Sequence, residues 1–255
     1  MDKEIYEPGF VSDLFDRCST RYRWWSLVAS FGIIWLWRKQ CVNRLVGMQH
    51  IAKVKGATAP PLPIVIDLMA GTGEVWPHLL SAYPRAQITA VDISPAMHRE
   101  AMTRLHGKHT RQINHLEADA LVTQLPNQAD FVISTFGLKT LTPAGQTLLA
   151  QRVAQALRPG GVFAMIEASD PKGWILHRFY RLYLDRILPL IEGFFLKGAK
   201  DFSMLGTYTK NFENCSHFAE ALRAEGLFVS YRPHFFGCAT SVAGFKHVAQ
   251  PTPAP

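Results

Sequence analysis

Short β-branched runs alternate with helix-period segments through the middle of the chain. Residues 63–68 (PIVIDL), 86–92 (AQITAVD), 115–117 (HLE), 130–135 (DFVIST) and 162–167 (VFAMIE) read as strands. Between them, residues 75–82, the segment opening at Ser94-Pro95, and residues 143–157 carry helical spacing. Ser94 is placed as an N-cap, with Pro95 in the first turn. Arg158-Pro159-Gly160-Gly161 is expected to end the last of these helices in a sharp turn. Strands alternating with helices imply an α/β fold on a doubly wound, mostly parallel sheet.

The flanks read differently. Residues 10–50 are expected to be helical, with Leu14, Phe15 and Cys18 on one face and a break at Gly32. Residues 56–63 (GATAPPLP) form a linker. Residues 172–200 are expected to be helical and basic on one face, with Trp174, Phe179, Tyr183, Leu188, Phe194 and Phe195 on the other. A helix at 214–225 and strands near 227–232 and 238–245 follow. This gives a helical lid (1–62), a ligand-binding core (63–171), a helical cap (172–213), a segment completing the sheet (214–250) and a loose tail (251–255).

The first strand runs into Asp67-Leu68-Met69-Ala70-Gly71-Thr72-Gly73-Glu74, a small-residue turn at a strand's carboxyl end. Open Rossmann-like sheets bind ligands there. A dinucleotide fingerprint needs a further glycine three residues after Gly73, but Trp76 stands in that place. Glu74 is a poor neighbour for a pyrophosphate, and no Gly-Lys-Ser/Thr is present. A cofactor without phosphate fits better, and S-adenosylmethionine (SAM) is cationic at sulfur and zwitterionic at its methionine end. Acids close three successive strands at Asp67, Asp92 and Asp119. Asp92 lies nineteen residues past Gly73, where such folds place the acid that accepts both ribose hydroxyls. Asp119-Ala120 is assigned to the adenine edge, and Asp67 with Ala70, Gly71, Thr72 and Gly73 to the methionine part. Ile93, Met97 and Ser134 complete the expected cofactor set.

Charge is uneven. The net charge is +7, yet residues 63–171 hold eight Lys/Arg against nine Asp/Glu. Residues 1–62 hold nine against five, and residues 172–210 seven against three. A basic mouth suits an anionic substrate or an anionic lipid surface. No basic run with interleaved aromatics and no nucleic-acid motif is present, so nucleic acid is not an expected partner. The cysteines (Cys18, Cys41, Cys215, Cys238) make no metal pattern and read as free thiols. No signal core and no run of ~18–20 apolar residues appears, so a cytoplasmic, at most membrane-peripheral, protein is expected. Four of the six tryptophans (Trp24, Trp25, Trp35, Trp37) lie in one short stretch. They either pack over the core or line a greasy portal touching lipid.

The chain resembles class I SAM-dependent methyltransferases, and within them the ubiquinone/menaquinone C-methyltransferase (UbiE) family. The resemblance is carried by Leu14-Phe15-Asp16, Tyr22, Ser30-Phe31-Gly32-Ile33, Trp37, Asp67–Glu74, Phe136-Gly137-Leu138, Leu157–Gly161 and Glu167, and later by Leu205, Phe212, Gly237 and Gly244-Phe245-Lys246. It departs from the family at Tyr22-Arg23, Ser26-Leu27, Ile34-Trp35, Lys139-Thr140 and Val242. The cofactor half is kept, while polar residues expected to handle a quinol ring are changed. The resemblance implies SAM-dependent methyl transfer to carbon of a lipophilic small molecule, a quinol- or phenol-type aromatic or an isoprenoid. Methylation at oxygen or nitrogen, and a non-catalytic SAM-binding scaffold in a quinone-synthesis complex, are the rival readings. Lys139 stands where the family carries an arginine near the substrate, placed to orient an anionic oxygen or help deprotonate a phenol. Tyr22 is expected to cover the cofactor. Tyr208, His177 and His234 are candidates for a base or a hydrogen bond to a polar head, and Glu167 faces substrate or caps. A homodimer is left open.

Overall fold

The computed structural model describes residues 3–105, 111–195 and 204–248. Seven strands form one sheet in the order β3-β2-β1-β4-β5-β7-β6. They are β1 (Ile64–Leu68), β2 (Gln87–Asp92), β3 (Ile113–Glu117), β4 (Ala129–Thr135), β5 (Leu157–Ala168), β6 (Leu227–His234) and β7 (Ala239–Lys246). The first five pair in parallel, and β7 runs antiparallel between β5 and β6. The order reverses between β1 and β4, which opens a crevice at their carboxyl ends.

The central strands are apolar on both faces because helices cover both. Side chains alternate between two cores. Val65, Phe131, Ile133, Val162 and Ala164 join α2 (Ile33–Val54) and α3 (Trp76–Ala82) on one side. Ile66, Val132, Phe163 and Met165 join α5 (Pro143–Ala156) and α9 (Ser216–Ala224) on the other. The remaining helices are α1 (Pro8–Ala29), α4 (Pro95–Leu105), α6 (His177–Leu182), α7 (Leu188–Phe195) and α8 (Met204–Phe212). The break expected at Gly32 is the junction of α1 and α2, where Gly32 takes φ +78°.

One local expectation is corrected. Arg158–Gly161 is not a turn beyond the sheet but part of β5. Ala129 pairs with Leu157 and Phe131 with Val162, so β5 bulges where β4 continues. Gly160 permits this at φ +78°, and Arg158 ties the bulge to Asp130 at 2.5 Å. The cap is helical as expected over His177–Phe195, with a π-turn at Tyr183–Ile187 between α6 and α7; residues 196–200 lie outside the described set.

Candidate active site

The turn after β1 shapes the crevice. Met69, Gly71 and Gly73 all take positive φ, at 54°, 55° and 72°. A Cβ on Gly73 would collide with the Trp76 ring, so this glycine serves helix packing beneath the loop. Trp76 in turn donates its indole N–H to Asp67 Oδ2 at 2.8 Å. Asp67 is 1% exposed, and its Oδ1 has no hydrogen-bond partner. Burial pushes its carboxyl up to about 7.

Above the turn lies a chamber with about 900 Å³ of open space, solvent-facing part included. Asp92 is on its wall. Its Oδ2 accepts the Gly71 N–H at 2.7 Å and its Oδ1 the Ser94 N–H at 2.9 Å. Burial raises the Asp92 carboxyl, and these two backbone donors oppose that rise. Ala70, Gly71, Ile93, Met97, Asp119 and Ala120 also line the chamber, as expected of a cofactor site. Asp119 is held by the Leu121 N–H at 2.8 Å. Helix α1 roofs this region. Asp16 Oδ1 accepts the Ser94 hydroxyl at 2.5 Å and the Ala96 N–H at 3.1 Å, and Ser12 donates to the Ile93 carbonyl.

Four expected cofactor residues do not reach the wall. Asp67 lies under the loop, spent on Trp76. Thr72 turns its hydroxyl to Glu74, and its carbonyl accepts from Arg104. Gly73 faces Trp76, and Ser134 is buried with an unpartnered hydroxyl. Two residues that sequence reasoning missed take their place. Glu74 and Arg38 line the chamber and pair at 3.3 Å, with Arg104 at 3.2 Å from the same carboxylate. Arg38 is 4% exposed, its Nε lacks a partner, and its guanidinium lies 5.5 Å from the Phe136 ring centroid. An acid and a base side by side match a zwitterionic amino-acid end, and Asp92 offers lone pairs to vicinal hydroxyls. The wall therefore fits SAM.

A second, mostly apolar chamber adjoins the first, with about 950 Å³ of open space counted the same way. Phe15, Tyr22, Phe136 and Thr140 line both and form the shared wall. Leu14, Ile34, Trp37, Tyr180 and Leu184 make much of its apolar surface.

The family follows from the match along the chain. The model of the ubiE/COQ5 methyltransferase family matches residues 2–246. This chain belongs to that family. A relative in Syntrophotalea carbinolica, named ubiquinone/menaquinone biosynthesis C-methyltransferase UbiE, is 33% identical over 201 residues, covering 78% of either chain. A demethylmenaquinone methyltransferase of Listeria welshimeri is 27% identical over 242 residues, covering 92% of this chain and 95% of that one. Among solved structures, an O-methyltransferase family protein from Burkholderia thailandensis superposes with TM-score 0.56 at 18% identity, covering 92% of this chain and 63% of that one. Human N-acetylserotonin methyltransferase in complex with SAM gives 0.52 at 21%, covering 86% and 59%. These two solved chains share the fold; this chain spans less than two thirds of their length. The protein is a SAM-dependent methyltransferase with a Rossmann-like core.

The expected catalytic residues of the methyltransferase are distributed unevenly. Lys139 does line the second chamber, where an acceptor is expected, but its ammonium is committed. It sits 3.0 Å from Glu167 Oε1 and 2.5 Å from the Phe136 carbonyl. Glu167 is fully buried, and its Oε2 accepts the Lys139 backbone N–H, so it positions the lysine rather than facing substrate. Tyr22 stands in the shared wall, where burial pushes its phenol well above the ordinary range. Tyr208 lines the acceptor chamber and donates its hydroxyl to the Ile5 carbonyl at 2.6 Å; burial pushes it up to about 12. His177 is engaged by Asp170 and His234 by Ser241, and neither lines the chambers. The tryptophans divide: Trp25 is fully buried and Trp37 nearly so, whereas Trp24 and Trp35 are exposed. All four cysteines are buried and none forms a disulfide.

Proposed function

We propose that the methyltransferase moves the SAM methyl group to a ring carbon of a quinol- or phenol-type aromatic bearing a lipophilic tail. The observation that carries this reading is the shared wall: a chamber fitted to SAM adjoins, across Phe15, Tyr22, Phe136 and Thr140, an apolar chamber of similar size. The names of the UbiE and demethylmenaquinone methyltransferase relatives support it.

When bound, SAM supplies an electrophilic methyl on a sulfonium, and displacement needs an aligned nucleophile in a dry pocket. Asp92, Asp119, Glu74 and Arg38 hold the cofactor. The apolar walls exclude water and take the tail. A ring carbon becomes nucleophilic when its phenolic oxygen carries negative charge. Lys139 is the cation on the acceptor side, and Glu167 fixes its direction. Its third N–H, not taken by Glu167 or the Phe136 carbonyl, would stabilise the phenolate left when the phenol proton goes to solvent; after transfer leaves a neutral thioether, the methylated ring carbon gives its own proton to solvent and aromaticity returns. Tyr22 and Tyr208 keep their protons, so they shape and hydrogen-bond rather than accept a proton.

Peripheral contact with a lipid surface, on its cytoplasmic side, belongs to the same proposal because the acceptor is lipophilic. No helix among the described residues is long and apolar enough to cross a membrane. A homodimer would cover the same exposed apolar residues, and the vesicle experiment below separates the two. Incubation with methyl-labelled SAM and a reduced demethylmenaquinone should place the label on the ring carbon. Label on oxygen would overturn the carbon assignment, and no transfer to any quinol would overturn the substrate class.

A further inference from the structure

Three phenylalanines combine backbone strain with solvent exposure. Phe31, Phe235 and Phe236 have φ of 50°, 43° and 56°, in the left-handed region that bulky residues avoid. They are 76%, 52% and 69% exposed. All three lie on one ridge. Phe31, in the turn between α1 and α2, meets Tyr183 with ring centroids 5.1 Å apart. Phe236 stacks on Trp174 at 5.2 Å, with Phe235 beside it. From one contact to the other and one to two turns beyond Tyr183, the cap displays Ile175, Leu176, Phe179, Leu182, Ile187 and Leu190 to solvent, at the three- to four-residue spacing of one helix face. Exposed apolar residues gathered on one face mark an interaction site.

The charges along the ridge choose the occupant. Arg178 and Arg186 are exposed. The acids of the same segment are engaged or buried: Asp170 by His177, Asp185 by Arg181, and Glu192 at 1% exposure. The surface is thus apolar with a cationic fringe. The inner side of the same elements lines the acceptor chamber, through Ala29, Ser30, Tyr180 and Leu184.

We propose that this ridge docks on an anionic bilayer. The phenylalanines and leucines enter the headgroup–acyl boundary, and Arg178 and Arg186 meet lipid phosphates. The acceptor chamber then opens beside the membrane, and a lipophilic acceptor reaches it without crossing water. The inference deepens the lipophilic-acceptor reading, but docking itself requires neither acceptor nor SAM.

The test is co-sedimentation of the full chain with equimolar phosphatidylglycerol–phosphatidylcholine vesicles, without SAM or acceptor. The wild type should partition onto them. Phe179→Ser, Leu182→Ser and Phe236→Ser together should lower partitioning by about tenfold or more, since each removes an inserted apolar side chain. SAM binding by calorimetry should stay unchanged, which shows that the variant is folded. Arg178→Gln with Arg186→Gln should lower partitioning several-fold and flatten its salt dependence. A wild type that stays in the supernatant, or a triple variant that pellets like the wild type, overturns the proposal. So does light scattering showing a dimer that the triple substitution splits while vesicles bind neither form; that outcome assigns the ridge to a second copy. Equal partitioning onto neutral vesicles overturns the role of the arginines. Vesicle binding with no methylation of any quinol would strike the substrate reading and leave the docking surface standing.

Discussion

Asp67 should make the ligand-free methyltransferase less stable as pH rises. Its carboxyl is 1% exposed, has one hydrogen bond, to Trp76, and leaves Oδ1 without a partner. Burial moves it from the ordinary 3.8 to about 7. At roughly 1.4 kcal/mol per tenfold, that displacement corresponds to about 4 kcal/mol. The sign follows from proton counting. Between about pH 4 and pH 7 the folded state keeps this proton and the unfolded state has released it, so stability falls through that window. Above pH 7 the loss is complete. Asp67→Asn cannot ionise, yet its amide oxygen still accepts the indole N–H. The variant should match the wild type near pH 4 and exceed it by a few kcal/mol, up to about 4, at pH 8. Urea unfolding at fixed ionic strength from pH 4 to pH 8 reads the difference directly, because contributions from other groups cancel. Saturating SAM should flatten the wild-type slope, since a cation in the adjoining chamber favours the ionised carboxylate. Parallel pH profiles for the two proteins would refute the reasoning.

Three further outcomes follow from the same contacts. Asp92→Ala removes the acceptor that holds Gly71 and Ser94 and faces the cofactor chamber; calorimetry should show SAM affinity falling about a hundredfold, at roughly 1.5–3 kcal/mol per charged hydrogen bond. Lys139→Met strands Glu167 in the core and should cost about 3–5 kcal/mol in urea unfolding, partly restored by adding Glu167→Gln. In that double variant kcat should fall while SAM affinity holds; an unchanged kcat would remove Lys139 from the chemistry. Thr209 is fully buried beside the acceptor chamber with its hydroxyl unpartnered, so Thr209→Val should raise acceptor KM several-fold with no loss of stability if that hydroxyl meets the acceptor.

The sheet was legible because its strands are buried on both faces. Val65 and Ile66 serve opposite cores, and that demand writes an unbroken apolar run up to Asp67. Asp92 and Asp119 were legible for the same reason, since each stands where a strand delivers it to the ligand edge. Gly73 was legible as a glycine, and the Trp76 ring is what a Cβ there would strike. Arg158–Gly161 misled because a Pro-Gly-Gly run signals a turn, and a bulge inside a paired strand uses the same residues.

What stayed hidden depends on contacts made across long stretches of chain. Arg38 reaches Glu74 from α2, 36 residues away. Tyr208 bonds Ile5 across 203 residues, and Tyr183 reaches the carbonyl of Val28 across 155. No local pattern encodes such pairings, because a helix surface shows which residues are apolar and not which helix will meet them. The cofactor half is built on strand ends, whose positions the sheet dictates. The second chamber draws most of its lining from helices α1, α2 and α8 and from the cap residues Tyr180 and Leu184. A change at Lys139, Thr209 or Tyr208 therefore alters the acceptor chamber without touching the strands that hold SAM. That separation lets the acceptor surface change while the methyl-donor site is kept.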